Sequence, residues 1–153
     1  MPRHGIMPNM WILYSIVAAV LWGLDYSLTE KVVKKIPFAS LLTIELFVGF
    51  LAMLALTLIS GSYKSDWSAL IASKQTMMFT VLIVVSFNIA NVLIVLSIGN
   101  KNATLAGLVE ISYPLFVALF SWLLFKEVNV NPLTAVGGLL VLAGVGMIYV
   151  FNR

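Results

Sequence analysis

FASLLTIELFVGFLAMLALTLIS, residues 38–60, is an apolar run of 23 residues interrupted by a single charge, Glu45. As a helix it reaches about 35 Å, enough to cross the ~30 Å of hydrocarbon in a bilayer. It is far too long for a barrel strand and lacks the alternation a barrel wall needs, and in lipid only helices or closed barrels satisfy the backbone. Four more runs of the same kind flank it, at residues 10–29, 76–98, 103–125 and 132–151. The separators are polar or carry prolines: Glu30 to Pro37 holds Lys31, Lys34 and Lys35, and residues 61–75 hold Lys64, Asp66 and Lys74. Gly99 to Asn102, then Lys126 to Asn131 before Pro132, divide the rest. The expected fold is all-α, an integral membrane bundle of five transmembrane helices, with residues 1–153 forming a single transmembrane domain.

Composition agrees. The chain is 61% hydrophobic and 10% charged, with a mean hydropathy of +1.06, where soluble domains run at about 45–50% and 25%. So few charges cannot clothe a water-exposed surface, and lipid must be the solvent for most side chains. The net charge of +3 comes from nine basic residues scattered over the loops. They form no patch for nucleic acid and read as contacts to lipid headgroups. With no cysteine, disulfides, thiolate metal sites and thiol nucleophiles are excluded. The first run follows Arg3 and is read as a retained signal anchor, because no cleavage site follows it. Trp11, Tyr14, Tyr63, Trp67 and Tyr149 fall near span ends, where amphipathic rings favour the headgroup zone, while Trp22 and Trp122 lie deeper and read as packing residues. DWSALIA, residues 66–72, is too short to span and suits a short interfacial helix.

Three carboxylates interrupt the spans: Asp25, Glu45 and Glu110. A charge at mid-bilayer costs about 3 kcal/mol on insertion scales, so these groups should face protein or water. Call the N-terminal side of the membrane face A and the other face B. Asp25 precedes Lys31 by six residues, Glu45 follows Pro37 by eight and Glu110 follows Lys101 by nine, which puts all three roughly 9–14 Å below face B. Asn91 reaches the same level, with Asn88 one turn away on the same helical side. Independent structural polar groups have little reason to agree in depth, whereas a substrate or proton site between helices requires it. Carboxylates gathered in a low dielectric cannot all be charged at once. Such a layer can hold a cation when ionised and release it on protonation. Nothing points to an enzyme or a cofactor: no glycine loop precedes a lysine, His4 is the one histidine, no metal-ligand spacing occurs and span serines lack a histidine base.

Residues 105–127, LAGLVEISYPLFVALFSWLLFKE, and residues 131–150, NPLTAVGGLLVLAGVGMIYV, resemble the second half of an EamA-type repeat of the drug/metabolite transporter superfamily. Pro114 entering the fourth helix, the Lys126-Glu127 end, Pro132 and the glycine-rich fifth helix carry the resemblance, with Trp22-Gly23 similar to the family's opening. Many such repeats set a glutamate directly before the helix-four proline. Here Tyr113 holds that place and the acid is Glu110, one turn earlier.

The resemblance implies a small secondary transporter subunit working by alternating access, and the shared depth of the polar layer marks Glu110, Glu45, Asp25, Asn88 and Asn91, with Tyr113 one turn beyond Glu110, as the expected substrate- or proton-binding residues. Proton-coupled export of a cationic or amine-bearing solute is the leading expectation. Transport of neutral metabolites such as amino acids or sugars, or a non-transporting half-unit bound to another membrane protein, are the alternatives. Typical family chains carry two five-helix repeats and this sequence has one, so a partner is implied: an antiparallel homodimer or a related heterodimer, in the cell (inner) membrane. Lysine and arginine bias normally sets orientation, and it is almost balanced here. Face A has Arg3, Lys64, Lys74 and Lys126, and face B has Lys31, Lys34, Lys35, Lys101 and Arg153. Dual topology follows as an expectation. On helix five, Gly137 and Gly144, like Gly138 and Gly146, recur on nearly one face, the small-residue pattern that lets helices associate in lipid. Gly137 and Gly144 are the expected dimer contact.

Overall fold

The computed structural model describes residues 10–127 and 131–151, and the readings that rest on Arg3, His4 and Arg153 lie outside them. The apolar runs become helices along nearly their full length: α1 (Met10–Val32), α2 (Phe38–Ser60), α4 (Lys74–Asn100) and α7 (Pro132–Phe151). The fourth run is divided into α5 (Ala103–Glu110), α6 (Tyr113–Phe120) and a π-helical turn at Ser121–Phe125. A short α3 (Tyr63–Ala72) joins α2 to α4. Among the described residues five helical stretches are long and apolar enough to cross a membrane, with Ala103–Phe125 taken as one, and no strand occurs. At most 11% of any span's apolar window is buried within the protein. Side chains this apolar and this uncovered need lipid or another protein around them.

The chain forms two compact units, residues 29–100 and residues 1–28 with 101–153. In the first, α2, α3 and α4 pack on one another, and Thr29, Leu42, Val95 and Ile98 are buried. α2 stops at Gly61, whose φ of 67° is the left-handed conformation glycine adopts without a Cβ clash. Its N–H donates to the Leu58 carbonyl at 3.2 Å. The Ser62 hydroxyl then donates to Asp66, which sits in the first turn of α3, where an acid meets the positive end of the helix dipole. The helix is longer than DWSALIA and includes Tyr63. Tyr63, Trp67 and Ile71 recur every fourth residue and are all exposed, the one-sided stripe an interfacial helix needs.

In the second unit α5 packs against α7, with Ala103 and Ala106 buried. Asn102 caps α5 by accepting the Leu105 N–H at 2.8 Å. The break after Glu110 has a chemical cause. Pro114 lies in the first turn of α6 and has no N–H to offer the Glu110 carbonyl four residues back. The Ser112 N–H instead meets the Val109 carbonyl at 3.2 Å, and the Leu115 N–H meets Ser112 at 3.1 Å. At the far end of this span Lys126 takes a left-handed φ of 58°, a conformation that costs a non-glycine residue about 1–2 kcal/mol. Its ammonium lies 5.1 Å from the centroid of the Trp122 ring, a cation–π contact that offsets part of that cost.

The glycines of α7 divide by surroundings. A Cβ at Gly138 would run into Leu115 Cδ2, whereas nothing lies within 4 Å of one at Gly137, Gly144 or Gly146. Gly138 is therefore spent on packing against α6 within the chain. Gly138→Leu should lower stability by about 1–3 kcal/mol through overpacking, and Gly146→Leu by about 0.5 kcal/mol or less. Melting of the two variants in the same detergent measures the contrast, and equal midpoints would refute the assignment of Gly138.

Candidate functional site

Ala18, Leu21, Trp22 and Asp25 follow the i, i+3, i+4, i+7 spacing of one helical side, and on α1 they line a shallow groove of about 280 Å³. The wall is apolar and the acid stands at one end. Tyr26, the next residue, is half-buried, and its hydroxyl donates to Glu110 Oε2 at 2.5 Å. Trp22 meets the Tyr26 ring edge-on, with centroids 5.6 Å apart and planes at 61°. Gly107 of α5 is also beside the ring, and a Cβ added there would lie 3.5 Å from Tyr26 Cδ2. Two of the expected site residues thus lie at Tyr26, Glu110 through the hydrogen bond and Asp25 as its chain neighbour, while Tyr113 begins α6 three residues after Glu110.

Glu110 ends α5 and presents two acceptors. Its carboxylate is turned to Tyr26, and its main-chain carbonyl has lost its helical donor to Pro114.

Glu45, Asn88 and Asn91 belong to the other unit. Glu45 lies exposed on α2. Asn88 and Asn91 donate their amides back to the carbonyls of Val84 and Phe87, each at 2.8 Å. Such back-bonding satisfies the amide N–H within its own helix and leaves each side-chain oxygen as an acceptor. Lys31, the cation nearest Asp25 in sequence, is engaged elsewhere. It and Lys34 reach Glu30 at 3.2 and 3.4 Å.

The model of the EamA-like transporter family matches residues 9–150. The chain belongs to the EamA-like transporter family. That makes it an integral membrane protein of a family that moves small solutes across membranes and does no catalysis. No curated protein and no solved structure matches the chain. The match runs through all five spans, so the acid and the proline of the fourth helix belong to the family's repeat and not to an appended segment.

Sequence reasoning missed Tyr26. The signal available was its place beside Asp25 and one turn after Trp22, in WGLDY, which sets an aromatic pair and an acid on one side of a helix. Its partner, 84 residues away, is a tertiary fact that spacing along the chain cannot supply.

Proposed function

We propose that this EamA-family chain is a subunit of a proton-coupled secondary transporter that exports a cationic or amine-bearing solute by alternating access. The observation that carries the reading is the grouping of Asp25, Glu110 and Trp22 around Tyr26, beside an apolar groove. An organic cation has an apolar body for the groove, a charge for the carboxylates and a face of attraction for the indole ring. A sugar or zwitterionic amino acid needs several donors and acceptors at once, and the groove wall offers few. Protonation of the acids discharges the cation on the opposite side of the membrane, and the proton then returns down its gradient.

The functional unit in this reading is an antiparallel dimer in the cell membrane, homomeric or made with a related chain. Five crossings put successive repeats in opposite orientations, and the near-balance of basic residues between the faces allows one sequence both orientations. The contact runs through α7 along Gly137 and Gly144, next to the row that Gly138 turns inward. Gly144→Leu should weaken association on the order of tenfold, since close backbone approach is the main attraction between helices in lipid. Dilution in detergent read by crosslinking tests this, and an unchanged association constant removes α7 from the interface.

Flux tests the whole reading. Purified protein in liposomes should move tetraphenylphosphonium or a long-chain alkylamine against an imposed proton gradient and should leave glucose and alanine untouched. Uptake of the neutral solutes and not of the cations would reverse the substrate assignment.

A further inference from the structure

We propose that Tyr26 is the positioning residue of the Glu110 carboxylate, fixing one of its oxygens against α1 so that the other oxygen and Asp25 receive the cationic head of the solute. The inference rests on the cation reading above and adds to it the residue that sets affinity.

A glutamate side chain at the end of α5 has three rotatable bonds, and without a partner it would sample several directions beside a broken backbone. Ordering a long side chain of this kind costs rotamer freedom. The 2.5 Å bond from Tyr26 supplies that order before any solute arrives. The phenol can do so because it is itself held. Trp22 packs edge-to-face with its ring, and Gly107 leaves room beside it at ordinary contact distance. Tyr26 is half-buried while Asp25 beside it is exposed, which divides the work: one residue orients an acid and the other stays open to the solute. A carboxylate with one oxygen bonded and one free is preorganised for a single additional charged partner.

The role predicts an effect on binding that spares the transport step. Tyr26→Phe keeps the ring and its packing and removes only the hydroxyl. The apparent KM for tetraphenylphosphonium should rise about tenfold, the scale of one lost hydrogen bond to a charged group, with the maximal rate within about twofold of wild type. Gly107→Val provides a second route, because its added methyls press on the Tyr26 ring and break the contact while both functional groups remain. Infrared difference spectra of solute-free protein give a readout a merely structural tyrosine would not move. The carboxyl band lost in Glu110→Gln should shift in both Tyr26→Phe and Gly107→Val.

A shifted band with raised KM and preserved maximal rate supports the proposal. An unshifted band overturns it, because Tyr26 then does not hold Glu110. A shifted band with unchanged KM, where Glu110→Gln does abolish binding, also overturns it by separating orientation from affinity. If wild-type protein binds no organic cation at all, the cation reading fails and this inference with it, and the band shift then records only a structural contact.

Discussion

Glu110→Gln is expected to reduce proton-driven cation flux to the background of empty liposomes while the protein remains folded. Glutamine cannot ionise, so it neither holds a cation nor exchanges it for a proton. Its carbonyl oxygen still accepts the Tyr26 hydroxyl, which keeps the contact between α1 and α5. Removing a charge from the membrane interior also removes a burial cost of about 3 kcal/mol, so the melting midpoint should stay level or rise. Flux at the wild-type rate and with wild-type pH dependence in this variant would defeat a mechanism centred on Glu110 and direct attention to Glu45. Loss of flux with loss of fold would show as aggregation on size exclusion, which separates the two causes.

The second large effect concerns orientation. With basic residues nearly balanced across the faces, a small number of substitutions should commit every copy to one direction. Ser65→Lys with Ser68→Lys adds two cations to face A, and Lys34→Gln with Lys35→Gln removes two from face B. The mirror variant carries Lys64→Gln and Lys74→Gln. Each variant alone should be inactive in cells, and the two expressed together should restore export, because only the mixture supplies both orientations. The protein has no native cysteine, so single cysteines at Ser62 and Asn100 report direction cleanly. Wild type should label partly at both positions from outside, and each variant at one. Full export by either variant alone would rule out the antiparallel unit.

The five spans were legible because a run such as residues 38–60 has no other stable state in water or lipid, and the structure follows those runs almost to the residue. The break in the fourth span was half legible. Pro114 announces the lost hydrogen bond, but where the chain turns depends on how Ser112 and Leu115 find substitute partners. Of the candidate site, acids in a membrane stand out by their cost, so Asp25 and Glu110 could be picked from the sequence. Tyr26 could not, since a tyrosine in a span is cheap and gains meaning only from Glu110 beside it. Gly138 likewise looked equivalent to Gly146 by periodicity, and only the position of Leu115 tells them apart.

The unit that holds Tyr26 and Glu110 is drawn from two stretches of chain with residues 29–100 between them. This has a consequence for the order of events at the ribosome. Chains emerge at about 5–20 residues per second, so α1 waits several seconds in the translocon or the bilayer for α5, while α2, α3 and α4 can meet as soon as they are made. During that interval Tyr26 sits on a helix whose partner acid, Glu110, does not yet exist. The bond between Tyr26 and Glu110 can therefore form only after most of the chain has been made.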